Sequence, residues 1–553
     1  MVASRRGQPR RKAASQRSLP ELEFLMARES VDRAYERRVA AIVNSREQRL
    51  LSGGLRGLER ESLRVTPDGR LAQTPHPLSL GSPLTHPHIT TDYSEALTEL
   101  VTPAFPDNAA LMRYLEDLHR FVYEQLGDEL LWATSMPCGI QSDRQIPIAR
   151  YGHSHPGRVK YIYRHGLLIR YGGMMQAISG VHFNYSLPPG FWPLYAELCE
   201  ARTADQAFVT ARYFELLRSY RRFGWLVSYL FGASPALCRS FLQGAQDPGL
   251  SPWQAHTLLG PHATSLRMSD LGYRNRSQSA VTVSVNGLEA YLHDLRRAVK
   301  QPHPPFMALG VRVDGEYRQL SGNLLQIENE YYSYIRPKRA LQPGERTAHA
   351  LARGGVEYVE VRALDNSAFD PVGVNPRKLH FLEAFLQMLL LRDSPPIDAH
   401  EEEALERNHL RVARSGREPG LLLERDGRRV PLRSWAAELL DGMLPVCEWL
   451  DGARSERPYT SALKEQLAKI EEPVRTPSAR LLAQLHEHGE EFAVLALRVS
   501  REHRAQLMGE DWADGSHRHE FQQEVQESVR ELGRLEASER GSFEEYLAAY
   551  LAD

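Results

Sequence analysis

The residues best suited to chemistry are acidic, and they fall on short runs that read as strands. In Gly57-Leu58-Glu59-Arg60-Glu61-Ser62-Leu63-Arg64-Val65, side-chain alternation puts Glu59 and Glu61 on one side. The run from Ile89 to Glu99 adds Asp92, Glu95 and Glu99. In Val356–Arg362, Glu360 and Arg362 share a face; in Ser179–Tyr185, His182 and Asn184 share one face while Val181, Phe183 and Tyr185 take the other. Carboxylates on a common face repel one another and are costly to bury unpaired. A cluster of them makes sense around divalent cations. Mg²⁺ takes oxygen ligands and bridges carboxylates to phosphates, and a histidine completes such a site more comfortably with Mn²⁺. The cations would draw in a polyphosphate and neutralise charge on a transferred phosphoryl group. Taken singly, each carboxylate is ordinarily a solvated strand face and His182 a hydrogen-bonded core histidine. Taken together, the polar faces point to an enzyme that handles phosphate through metal ions. A metallohydrolase built on the same cluster stays open at this stage.

These strands need a scaffold, and the rest of the chain supplies candidates. Leu111, Leu115, Leu118, Val122 and Leu126 fall on one helical face, with Asp107 or Asn108 as N-cap. Residues 18–50, 205–231 and 376–392 also read as helices, with short strands bounded by Gly and Pro between them. Three regions follow: 1–45, a basic disordered tail and leading helix; 46–396, a catalytic core; and 397–553, a Glu/Arg/Leu-rich helical region packed on that core. The first 17 residues hold six basic side chains and no acid, but no apolar stretch of the kind a secretory signal needs. A transit peptide is the alternative to a plain tail.

A net charge of −2 on 553 residues argues against a general nucleic-acid or membrane binder. No apolar run reaches the roughly 18 residues a membrane span needs. Cys138, Cys199, Cys238 and Cys447 are scattered, which predicts four reduced, mostly buried thiols in a cytoplasmic protein. There is no GxxxxGK[ST] and no GxGxxG after a strand, so any ATP is held without a P-loop.

The same stretches resemble glutamate–cysteine ligase of the bacterial branch. The resemblance runs through GLERESLRV (57–65), LTHPHITTDYSEALTELVTP (84–103), ATSMPC (133–138), ISGVHFNYSLP (178–188), RFGWLVSYLFGASPALC (222–238), ATSLRMSDLGY (263–273), LQIENEYYSYIRPKR (325–339) and RGGVEYVEVRALD (353–365). It covers about residues 50–395 with spacing intact and fades on either side.

The resemblance implies an α+β fold similar to glutamine synthetase, a curved antiparallel sheet forming a cradle with helices outside. It implies ATP-dependent ligation of glutamate to cysteine, or to another amine in a related ligase, by a monomer that uses Mg²⁺ or Mn²⁺. Glu59, Glu61, Asp92, Glu99, His182 and Glu360 match the metal shell, with Glu360 and Arg362 in catalysis and Arg362 stabilising the phosphoryl group. Arg267 matches the partner of the glutamate carboxylate. Tyr163, Arg164, Tyr273 and Tyr332 match the cysteine pocket, with Gln176 and Asn184 also on substrate. Arg336, Lys338 and Arg339 are assigned to ATP; Glu328 and Glu330 lie in a matched stretch without a settled role. Arginine suits carboxylate because its planar fork binds bidentately and stays charged.

Overall fold

Leu55–Val65 forms the long strand β1, and the sheet assembles around it. The computed structural model describes residues 33–43, 53–245, 247, 249–272, 281–509 and 511–552. With β2 (Ile89–Thr91), β3 (Leu97–Val101), β4 (Leu130–Leu131), β5 (Gly180–Ser186), β6 (Ile335–Lys338) and β7 (Tyr358–Asp365), β1 makes a seven-stranded sheet in the order β6-β7-β5-β1-β3-β2, with β4 paired to the end of β1. Every pairing is antiparallel.

Register then sorts the side chains. Leu58 lies opposite Phe183, Phe183 opposite Val361, and Val361 opposite Ile335. With Leu100 and Val181 they belong to one buried apolar core. Glu59 lies opposite His182, Glu61 opposite Glu99, and Glu360 opposite both Asn184 and Arg336. The sheet therefore has one oily face and one charged face, as the alternation in the sequence requires.

Helices cover the oily face. In α1 (Asn108–Gln125) the expected stripe Leu111, Leu115, Leu118 and Val122 is buried, and Asp107 caps the helix by accepting from the Ala110 N–H. The helix expected over 205–231 is two, α3 (Gln206–Phe223) and α4 (Trp225–Phe231). They break at Gly224, where the Tyr220 ring and carbonyl occupy the space a Cβ would need. Helix α5 (Pro376–Leu391) is buried almost all round, as its continuous apolar sequence demands. Of the leading helix expected over 18–50, residues 33–43 are helical; the remainder and the basic tail lie outside the described residues.

Beyond α5 the chain is mostly helical, including α6 (Ala399–Ser415), α7 (Leu432–Asp451) and α8 (Pro458–Glu471), with an added hairpin at Leu422–Arg425 and Arg428–Pro431. These helices are bolted to the sheet. The Glu383 carboxylate of α5 takes both arms of Arg56 from β1 and the Tyr459 hydroxyl of α8 at 2.7 Å. Further on, Ser500 accepts from the Ala133 N–H at 3.0 Å and Ser528 from Ser82 at 3.1 Å, so the last helices return to the core. Among the described residues, no helix is long and apolar enough to cross a membrane.

The expectation of four free thiols fails. Cys138 and Cys238 are not free thiols but a disulfide, with Cα atoms 5.5 Å apart across 100 residues of sequence. That Cα distance is ordinary for a disulfide. The fold lays the loop after β4 against the short strand Ala236–Cys238, and no spacing in the sequence announces it. Cys199 and Cys447 remain thiols, and burial raises the pKa of both.

β6 is an edge strand, and it carries Pro337 within its pairing to β7. An edge is the position where a strand proline is tolerated.

Breaking the Glu383 hub gives a direct test of how the helices are anchored. Glu383→Ala leaves the Arg56 guanidinium buried without its counter-charge and is expected to cost about 3–5 kcal/mol. The double variant Arg56→Met/Glu383→Leu should recover most of that. Urea unfolding followed by circular dichroism measures both; equal midpoints for Glu383→Ala and the parent would refute the assignment.

Candidate active site

The charged face of the sheet gathers residues that lie up to 301 positions apart in sequence, from Glu59 to Glu360. His182 stands at its centre. Its Nδ1 is 3.0 Å from Glu59 Oε2 and 3.7 Å from Glu360 Oε1, and its Nε2 is 3.6 Å from Glu61 Oε1. Glu59 also accepts from the Asn184 amide at 2.9 Å, and Glu61 from the Gly180 backbone N–H at 2.8 Å. One oxygen of Glu360 lies 3.4 Å from Lys338 Nζ and 3.3 Å from Arg362. Its other oxygen is buried and accepts no hydrogen bond.

Charge is graded across this face. At the β6–β7 side, burial alone would raise Glu360, but Lys338, then Arg362, His182 and Arg336, hold its carboxyl well below the usual range. Glu59 is also lowered: burial and Glu360 push it up, and the hydrogen bond from His182 and the charge of Lys338 prevail. Glu61 is raised by burial. At the far side Glu99 is held well above the usual range by burial and by the charges of Asp92, Glu59 and Glu61. Positive charge is thus short on the β1–β3 side.

A candidate cation site lies beside that region, across β1, β5 and β7. Ligand atoms of Glu59, His182 and Glu360 all lie within 4.8 Å of one another, the one such group among the described residues. The donor set of carboxylates plus one imidazole, with an unused buried oxygen on Glu360, suits Mg²⁺ or Mn²⁺.

A kink in β7 makes the arrangement possible. Its pairing with β5 slips between Val361 and Leu364, so Arg362 and Ala363 together face a single residue of β5. Arg362 keeps the side of Glu360, while Leu364 is turned into register with Val181 and the core. Without the bulge, alternation would carry Leu364 onto the charged face.

Beside the acid face lies a pocket lined by Glu61, Asp92, Tyr93, Tyr163, Arg164, Leu167, Met175, Gln176, Asn329, Glu330, Tyr332, Arg336 and Arg362. Tyr163, Arg164 and Leu167 come from α2 (His155–Tyr171), whose Arg164 also donates to the Asp92 carbonyl and lies 4.6 Å over the Tyr151 ring. Arg336 is anchored on the Asn329 and Tyr331 carbonyls. Lys160, one helical turn before Arg164, lies over the same Tyr151 ring at 4.9 Å. Burial, then the neighbouring Arg164, lowers its pKa to about 8.

Most expected residues thus meet. Glu59, Glu61, Glu99, His182, Asn184, Glu360, Arg362, Arg336 and Lys338 share the face; Asp92, Tyr163, Arg164, Gln176 and Tyr332 join at the pocket. Arg267 stands one layer back, fully buried, 3.0 Å from the Arg362 carbonyl, 3.0 Å from Met268 Sδ and 3.7 Å from Asp365. Arg339 is not brought in: it follows the last strand residue and bonds the Gly354 and Gly355 carbonyls, capping the helix Thr347–Gly354. Tyr273 lies outside the described residues. The bulge, Lys160, Asn329 and the Gly180 N–H were not anticipated. A backbone donor and a register slip leave no mark on residue type.

Comparison with known proteins identifies the family and the fold. The family model described as glutamate-cysteine ligase matches residues 39–412. The glutamate–cysteine ligase of Azotobacter vinelandii is 48% identical over 525 residues, covering 94% of this chain and 98% of that one. Among solved structures, glutamate–cysteine ligase from Francisella tularensis in complex with AMP superposes with a TM-score of 0.85 at 34% identity, over 90% of this chain and 97% of that one. A bifunctional glutathione synthetase from Pasteurella multocida gives a TM-score of 0.64 at 25% identity, over 83% of this chain but 53% of that one. A chain that this family model matches over residues 39–412, and whose sequence and overall path follow these proteins over nine-tenths of its length, belongs to the glutamate–cysteine ligase family.

Proposed function

We propose that this chain joins the γ-carboxyl of glutamate to the amine of cysteine at the expense of ATP, the first step of glutathione synthesis. The observation that carries the reading is a shared wall. Glu61, Arg336 and Arg362 belong both to the acid face and to the pocket, so a phosphoryl donor on one side and two amino acids on the other would meet there.

A carboxylate is a poor acyl donor and must be activated. Transfer of the ATP γ-phosphoryl group to the glutamate γ-carboxylate gives an acyl phosphate; the cysteine amine then attacks the acyl carbon and phosphate leaves. Glu59, Glu61, Glu99, His182 and Glu360, with Asp92 beside them, would hold Mg²⁺ or Mn²⁺, which supplies charge neutralisation at the polyphosphate when bound. Arg362, fixed by Glu360, presents its guanidinium to the phosphoryl group in transit. Lys338 and Arg336 give the nucleotide's phosphates cationic partners. Arg267 takes a glutamate carboxylate once its contact with Met268 yields. Tyr163, Arg164, Gln176 and Tyr332 hold the cysteine. The cytoplasm supplies all three substrates and is the compartment proposed, with the enzyme acting as a monomer.

Incubating the protein with ATP, Mg²⁺ and glutamate, and offering cysteine, 2-aminobutyrate or ammonia in turn, should give γ-glutamylcysteine as the favoured product by mass. Adding glycine should give no glutathione. Product formed without ATP would point to a hydrolase, and preference for ammonia to a different ligase.

Arg362→Ala should lower kcat by about 10³-fold or more with little change in KM for ATP, because its charge matters most as the phosphoryl group moves. The variant should stay folded, since Lys338 still faces Glu360. Arg362→Lys should restore little, lacking the planar fork. A folded Arg362→Ala enzyme with near-normal kcat would show the role to be misassigned.

Mn²⁺ should raise the thermal midpoint of the apoprotein, by the linkage of binding to folding; at 100 times Kd this is worth about 2.7 kcal/mol. Glu360→Gln and His182→Ala should each abolish most of the rise. A midpoint indifferent to Mn²⁺ in the parent protein would dismiss the metal assignment.

A further inference from the structure

The pocket has two walls that come from distant parts of the chain. One is α2, carrying Tyr163, Arg164 and Leu167; the other is the segment from Asn329 to Tyr332, which begins with the short 3-10 turn Glu328–Glu330. Behind them the two walls are fastened together. Arg170, on the next turn of α2, donates to Glu330 Oε1 at 3.0 Å, and both side chains are fully buried. Tyr171 donates its hydroxyl to the same oxygen at 2.6 Å. Glu330 Oε2 accepts from the Gln326 backbone N–H at 2.7 Å. The remaining arms of Arg170 go to Gln319 Oε1 at 2.9 Å and the Ser321 carbonyl.

A second fastening lies one turn earlier. The Gln326 side chain donates to the Tyr163 carbonyl at 3.2 Å and accepts from the Leu320 N–H at 2.9 Å. Its amide lies flat against Gly166: a Cβ there would sit 2.1 Å from Gln326 Oε1. A glycine in mid-helix costs stability on its own account. Here it lets the opposing segment approach the helix backbone.

We propose that Glu330, held by Arg170, is the positioning residue that sets the separation of these walls, and through it which amine the enzyme accepts. The proposal rests on the reading that Tyr163, Arg164 and Tyr332 hold the acceptor. Both Glu330 oxygens are engaged by protein donors, so its carboxylate acts on the walls and not on the substrate. The charge is what makes the clamp stiff. A buried carboxylate met by a guanidinium, a phenol and a backbone N–H is held far more tightly than a neutral amide in the same place. A small acceptor fills the fixed gap; a longer side chain does not.

Glu330→Gln tests the charge, and Gly166→Ala tests the same gap without touching an ionisable group. Both are assayed with 2-aminobutyrate and with norvaline, which is one methylene longer, alongside cysteine. Each variant should raise KM for cysteine about tenfold while KM for glutamate and ATP stays within about twofold. Each should raise the norvaline to 2-aminobutyrate ratio of kcat/KM several-fold. Glu330→Asp should return part of the parent selectivity. Tyr332→Phe serves as the control on the pocket itself. If it raises KM for cysteine while both wall variants keep the parent ratio, the inference is overturned, even if their melting temperatures fall. If Tyr332→Phe also leaves cysteine KM unchanged, the acceptor pocket has been misplaced and the inference goes with it. Should Glu330→Gln fail to fold, Gly166→Ala decides the matter alone.

Discussion

Like-charge repulsion governs this molecule. Glu59, Glu61, Glu99 and Glu360 share one sheet face with Asp92 nearby, and nothing apolar could tolerate that density of carboxylate without compensation. The fold supplies compensation unevenly. Lys338, Arg336 and Arg362 come in from β6 and β7, His182 sits between the acids, and backbone and amide donors take what is left. What they leave uncompensated is a defined region on the β1–β3 side. On the proposed reading, metal ions held with the nucleotide would supply the charge that this region lacks.

The sheet can do this because its two faces are chemically independent. Phe183 and His182 are neighbours in sequence, yet one belongs to a core that extends through α1, α3 and α5 and the other to the acid cluster. The bulge in β7 keeps that separation honest at the one place where strict alternation would have failed, by re-phasing Leu364 after Arg362 has been delivered. The Asp365 side chain just beyond it is taken up at once by Ser234, Ser265 and the Ala233 N–H, so the strand ends in a locked position.

Much of this was legible beforehand, for identifiable reasons. Strand periodicity placed Glu59 with Glu61 and His182 with Asn184 because alternation is a local rule, and the Leu111–Val122 stripe declared α1 for the same reason. The family resemblance, not periodicity, joined distant runs into one site. Features that depend on where remote segments land were invisible. The Cys138–Cys238 disulfide is set by a loop meeting a strand 100 residues later. Arg339 looked equivalent to Arg336 and Lys338 in a basic run, but it follows the strand's end and turns to a helix terminus. Arg267 is fully buried against Met268 and the Arg362 carbonyl, a depth that residue type, which reports charge, does not disclose.

Pro337 has a consequence beyond tolerance. The sheet's outermost strand has a strand neighbour on one side only, and unpaired edges recruit strands from other molecules. Here the central residue of that edge offers no N–H, and its neighbours Arg336 and Lys338 carry positive charge. A second chain arriving in register would lose a hydrogen bond and bring cations face to face with cations. The strand that carries cationic groups to the acid cluster is thereby also a poor template for edge-to-edge pairing, and both properties come from the same four residues, Ile335–Lys338.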